Sequence, residues 1–364
     1  MNTIALRILP ACLVLGPAVA AAQDPAEVCP DPVVFQTDWF PQTENAMPYH
    51  LIGPDGTVDP DRGTYTGTIG DTGVSMELRL GGPFVGYQTV TSLMYQDPGI
   101  LLGLVSTDEA IILSGEFPTV AIMAPLEKSP QVIMYAQDDF PDLTGWEGVR
   151  DTEATILYFE GSSFMAYLIG KGLIDPDQVD GSYDGSPSRF AVENGIMQSG
   201  YATNDVFRYE NVIEEVGEPM DYLLVHDAGY TVYTSAVAVR PPVLDERADC
   251  LAALVPLMQQ AQADYMADPA ATNDTLLAVN DGLTNPWVIT EAVNEYGHET
   301  MGELGIVGTG ADDTIGNFDM DRIAAFLEEA RPIFEAAGIR TMAEDLAADD
   351  LATNRFIDPS IGLD

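Results

Sequence analysis

The stretch best suited to holding a small molecule is Glu160-Gly161-Ser162-Ser163, where a short apolar run at 155–159 meets a helical pattern at 164–170. The first turn of a helix leaves backbone N–H groups unpaired and carries a partial positive charge. Together with two serine hydroxyls, such a start suits an anionic or acceptor group. Glu160 beside it works against an anion and favours an amine or a protonated ring nitrogen. Glu44 and Asn45 open a second helical stretch near 44–52, offering a carboxylate and an amide to a polar ring edge. Helix capping is the competing role for Asn45. Ser106 and Thr107 follow an apolar strand at 100–105, and ligand contact and capping of a helix at 108–114 fit them equally.

Catalytic arrangements are sparse. Three histidines, His50, His226 and His298, stand far apart, and no Gly-x-Ser-x-Gly elbow, His-Glu-x-x-His or phosphate-binding Gly-x-x-x-x-Gly-Lys occurs. Paired carboxylates are available in principle, yet no particular pair stands out. Asp59, Asp61 and Gly63 have part of a calcium-loop spacing but lack the full acidic repeat and its terminal Glu. The expectation is a binder, not an enzyme, with neither cofactor nor metal.

Charge narrows the partners. Fourteen Lys and Arg stand against 58 Asp and Glu, a formal net charge of -44. That surface repels phosphate backbones and anionic headgroups, which disfavours nucleic acid and membrane surfaces. The acids are spread along the chain, as on a solvated acidic surface; attraction of a cationic ligand is the sharper alternative.

Residues 1–22 resemble a secretory signal: Arg7, an apolar run over 8–20, then Ala20-Ala21-Ala22 with Gln23 as the first mature residue. The apolar run is too short to span a bilayer, and no later stretch qualifies. The expected location is the periplasm. Removing this segment removes Cys12 and leaves Cys29 and Cys250, which in an oxidising compartment either bridge or stand as two thiols.

Short β-branched runs at 33–35, 74–80, 100–105, 119–124, 131–136, 155–159, 195–199 and 222–225 alternate with helical patterns. Residues 53–73, rich in Gly, Asp and Thr, predict a loop or hairpin. From 244 onward the pattern is helical, over 247–266, 275–279, 286–296 and 321–337. The alternation predicts an α/β protein with parallel sheets flanked by helices and a helical C-terminal part. At 364 residues the chain suits two lobes.

The run Gln36-Thr37-Asp38-Trp39-Phe40-Pro41-Gln42-Thr43-Glu44-Asn45 resembles the opening of the NMT1/THI5-like solute-binding proteins, which include binders of thiamine pyrimidine precursors and neighbour the sulfonate, taurine and nitrate binders. In the same order follow Gly103-Leu104-Val105-Ser106-Thr107-Asp108-Glu109-Ala110, Glu127-Lys128-Ser129-Pro130, Leu143-Thr144-Gly145-Trp146 and Gly200-Tyr201-Ala202-Thr203-Asn204. Asp227-Ala228-Gly229-Tyr230 and Tyr265-Met266-Ala267-Asp268-Pro269 complete the set. The resemblance covers about residues 31–360 and rests on the order of individually weak motifs. It implies a type II periplasmic-binding-protein fold, two lobes joined by two crossovers, with lobe one at 23–125 plus 222–364 and lobe two at 126–221. It further implies a monomeric capture protein serving an ABC permease and its ATPase. Trp39 would be its ligand-stacking residue, and Tyr201, Thr203 and Asn204 contacts from the other lobe, hinge structure being their alternative. In the related sulfonate binders the 160–163 region holds the anion. The acidic stretch 53–73 is longer than the family's usual connection.

Overall fold

The computed structural model describes residues 24–284 and 289–363; the signal-like segment, residues 1–22, lies outside them, as does part of the helix expected over 286–296. The first lobe holds β1 (Val33–Gln36), β2 (Thr57–Asp59), β3 (Thr64–Thr68), β4 (Ser75–Arg79), β5 (Leu102–Val105) and β6 (Val120–Met123). The chain then crosses to a second lobe with β7 (Gln131–Ala136), β8 (Thr155–Leu157), β9 (Val179–Asp180), β10 (Ile196–Tyr201) and β11 (Met220–Leu224). It returns to the first sheet as β12 (Ala236–Val239). Two crossings therefore join two sheets.

Both sheets share one wiring. The first runs β2-β3-β4-β1-β5-β12-β6 and the second β11-β7-β10-β8-β9. In each, the strand made immediately after a crossing is inserted antiparallel beside the third strand: β12 beside β5, and β7 beside β10. The β1–β4 and β1–β5 pairs and the β8–β10 and β8–β9 pairs are parallel. Alternation predicts parallel sheets; the parallel pairs are there, but both sheets are mixed. A strand entering from the opposite lobe must run against its neighbours, which the β/α order along the chain does not reveal. Residues 53–73 supply the β2–β3 hairpin at the edge of the first sheet.

Local sequence explains the strands. β1, β5, β6 and β12 are buried at every position, as apolar runs covered on both faces should be. β4 alternates buried Met76 and Leu78 with half-buried neighbours, the period-2 pattern of a sheet with one face inward.

Helices α1 (Pro25–Val28), α2 (Ala46–Ile52), α3 (Val90–Gln96) and α4 (Thr107–Ile112) accompany the first sheet, and α5 (Ser163–Gly170) and α6 (Asp205–Asn211) the second. The C-terminal third contributes α7 (Val243–Glu246), α8 (Ala248–Ala267), α9 (Ala270–Asp281), α10 (Glu291–Glu303) and α11 (Met320–Ala336). Cys29 and Cys250 form a disulfide that ties the segment before β1 to α8. One apolar cluster joins the lobes, with Val105, Ile133, Tyr167, Tyr230 and Phe334 in common. Within it α11 packs on α5 so closely that a Cβ on Gly170 would come within 2.4 Å of the Ile333 side chain.

Candidate ligand-binding site in the interlobe cleft

A cavity of about 420 Å³ opens between the carboxyl ends of β1 and β5 in one lobe and of β8 and β10 in the other. Ligands of open α/β sheets sit beyond the strands' carboxyl ends, and this volume falls within the small-molecule range of roughly 300–1,000 Å³.

Asp38 and Trp39 reach the cavity on the turn after β1. The backbone of that turn is gripped by the end of β4: Gly82 N donates to the Asp38 carbonyl and Gly81 N to the Trp39 carbonyl, each at 3.2 Å. The approach demands glycine, because a Cβ on Gly81 would stand 2.2 Å from Asp38 main-chain atoms. Trp39 is half-buried, 6.4 Å from Phe159 of the opposite lobe and 6.0 Å from Tyr87, ring centre to ring centre. Phe159 in turn lies 4.8 Å from Tyr183, so aromatic rings from both lobes border the cavity.

Three carboxylates line the same space. Asp38 accepts from Asn45 Nδ2 at 2.9 Å and Ser235 Oγ at 2.5 Å. Burial nevertheless pushes its carboxyl above the ordinary aspartate value. Glu109, on the first turn of α4, accepts through Oε1 from Thr91 N at 3.1 Å and Thr91 Oγ1 at 2.8 Å. Burial, with Asp108 and Asp38 nearby, pushes it up to about 7. Asp205 begins α6, accepting from Tyr201 N at 2.9 Å and Arg208 Nη1 at 3.0 Å. Its carboxyl is raised by burial, with the Arg208 charge pulling the other way. Among the described residues that line the cavity there is no lysine, arginine or histidine.

Searches with the sequence find no matching protein-family model and no matching curated protein. Solved structures do match. The periplasmic aliphatic sulphonate binding protein SsuA from Escherichia coli is 11% identical, with a TM-score of 0.55 over 90% of this chain and 92% of that one. A putative periplasmic sulfonate-binding protein from Methylobacillus flagellatus is 13% identical, with a TM-score of 0.55 over 90% and 93%. The ligand-binding component of an ABC-type import system from Staphylococcus aureus, solved with zinc bound, is 12% identical, with a TM-score of 0.54 over 90% and 99%. This is the type II periplasmic-binding-protein fold.

Within that binding-protein fold, the residues singled out from the sequence divide into two sets. Trp39, Ser162, Tyr201 and Asn204 line the cavity together. The others support it or lie apart. Glu44, buried, accepts from Thr203 and Thr43 hydroxyls, so Glu44 and Thr203 make a bond between the lobes. Asn45 orients Asp38 rather than capping its helix. Ser106 Oγ accepts from Ser235 N and Thr107 Oγ1 from Tyr233 N, both at 3.0 Å, which pins the returning crossover to the end of β5. Ser163 bonds Asp108 and Tyr230, a second link between lobes. Glu160 and Gly161 sit on an exposed turn away from the wall of this cavity. The acids that line this cavity are Asp38, Glu109 and Asp205.

Those three acids, with Gln42, Phe159, Tyr183 and Ser199, are lining residues that sequence reasoning missed. A usable signal existed for two of them, since Asp38 and Phe159 each lie two residues past the ends of β1 and β8. Gln42, 7% exposed, and Ser199, 4% exposed, face the cavity from opposite lobes with side chains that make no hydrogen bond among the described residues. Asn204 beside them is 5% exposed, and its Nδ2 is likewise unpaired there. Polar groups of three side chains, without a protein partner among the described residues, thus converge on one cavity, a wall suited to a polar occupant.

Proposed function

We propose that this chain is the extracytoplasmic solute-binding component of an ABC importer, capturing a small heteroaromatic or related nitrogenous solute of the thiamine-pyrimidine-precursor kind. The observation that carries the reading is the cavity itself: aromatic rings and unpaired polar groups from both lobes converge at the strand ends where this fold takes ligands. The solved neighbours are importer components and sulfonate binders by name, which supports a capture role and an extracytoplasmic place. No helix among the described residues is long and apolar enough to cross a membrane, so an import role requires a separate permease. Lobe one then takes residues 23–125 plus 222–364 and lobe two 126–221, with binding and release in place of turnover. A sulfonate or nitrate ligand is the second reading, favoured by the sulfonate-binding neighbours and by the start of α5 at Ser162.

The test is a thermal-shift screen of pyrimidines, amines, sulfonates and nitrate, with each hit checked chromatographically for chemical change. A true ligand at about 100 times its dissociation constant adds about 2.7 kcal/mol of stability. A pyrimidine should give that shift unchanged, and Trp39→Ala should abolish it. Response to nitrate or a sulfonate alone would reject the heterocycle, and conversion of the hit would make the chain an enzyme.

A further inference from the structure

We propose that the cleft selects a solute carrying a positive charge, an organic ammonium or amidinium, with Asp38 and Glu109 as its counter-charges and Trp39 and Phe159 as its flanking faces. This rests on the solute-binding reading and narrows it. The sulfonate binders named among the neighbours hold anions; here an anion would enter a space bordered by three carboxylates, where like charges a few ångströms apart repel strongly at low dielectric. Asp205 is already paired with Arg208, which leaves Asp38 and Glu109 as acids held by neutral donors alone. Glu109 keeps Oε2 without a hydrogen bond among the described residues. It is faced by Asp38 from the β1 turn, by Asp108 of its own helix and by Thr91 of α3.

An ammonium inserted here meets acceptors that the protein's own donors leave open. Its N–H groups meet Glu109 Oε2 and Asp38, and its charge gains from the faces of aromatic rings. The carbonyl of the Gln42 amide and the Ser199 hydroxyl complete a polar wall, both residues being nine-tenths or more buried. Asn204 Oδ1 lies 3.5 Å from Arg208 Nη1, so its free Nδ2 serves an acceptor elsewhere on the ligand.

The experiment is titration calorimetry on the wild-type protein with matched pairs: 5-aminomethylpyrimidine against 5-hydroxymethylpyrimidine, choline against its neutral carbon analogue 3,3-dimethylbutanol, and methanesulfonate as the anion. The cation of a pair should bind about tenfold or more tightly than its neutral partner. Near neutral pH its binding should release protons, read as a heat that depends on the buffer's ionisation enthalpy, because a cation draws Glu109 fully into its charged form. Asp38→Asn and Glu109→Gln should each weaken binding of the cation more than that of its neutral partner and so close most of the gap within the pair. Equal or tighter binding by the neutral partner, binding by methanesulfonate, or no binding by any cation overturns the charge assignment. The two readings fail separately: a neutral pyrimidine that binds as well as its cation sinks the charge alone, and choline binding without any pyrimidine sinks the heterocycle alone.

Discussion

Glu109 shows most directly how burial sets behaviour at this site. Its carboxyl in the folded protein sits near 7, above the ordinary glutamate value, so the folded chain binds a proton that the unfolded chain has released. The associated stability is fully present below the ordinary value and is lost as pH rises through about 7. Asp38, Glu44 and Asp205 are raised by burial too and act in the same direction. The ligand-free protein should therefore melt at a higher temperature near pH 5 than near pH 8. Glu109→Gln, which keeps a neutral side chain at every pH, should flatten part of that slope; a melting temperature that rises with pH over this window would refute the buried-acid account. The same residue shows why much of the site was not legible. Among 58 acids nothing in the sequence sets Glu109 and Asp205 apart, and Asp38 only by its place just past a strand, since their distinction is where the folded chain buries them. Trp39 and Tyr201 were readable from motif order; Glu44 and Thr107 share that order but are spent on bonds inside the protein.

At the level of elements, strands with strong apolar runs were legible almost end to end: β7 occupies the whole of 131–136. β9, β12, α3 and α6 were not anticipated. β9 has two residues, β12 is an Ala-Val alternation between polar neighbours, and α3 and α6 are seven-residue helices without long apolar periodicity. Their order comes from contacts made elsewhere in the chain. The junction of β1 and β4 gives a test of how elements place the site. A methyl group at Gly81 would meet main-chain atoms of Asp38, which cannot swing aside as a side-chain tip would. Gly81→Ala should cost about 1–3 kcal/mol in denaturant unfolding by overpacking. It should also weaken solute binding by displacing Asp38 and Trp39, whereas Gly53→Ala, in open space at a positive φ, should lower stability and spare affinity. If Gly81→Ala bound normally, the grip of β4 on the turn would not be what positions the site.

For the molecule as a whole, the net charge of -44 acts on folding and capture with opposite signs. Over the whole chain 58 acids stand against 14 Lys and Arg, and most ion pairs join partly exposed side chains, so little of the self-repulsion is cancelled locally. Salt shortens the range of that repulsion, from about 10 Å at 0.1 M to about 3 Å at 1 M, and should raise the melting temperature steadily across this range. The same field draws cations toward an acidic cleft, and screening removes that steering. The association rate of a cationic solute should then fall, by about tenfold or more between low salt and 1 M, while the rate for a neutral analogue stays nearly flat. Stopped-flow tryptophan fluorescence can follow both, since Trp39 borders the cavity. A protein that gained stability with salt and yet captured its cation at an unchanged rate would have a surface charge unconnected to its ligand. A falling rate for the cation alone would tie the acidity of the whole chain to the carboxylates of one cleft.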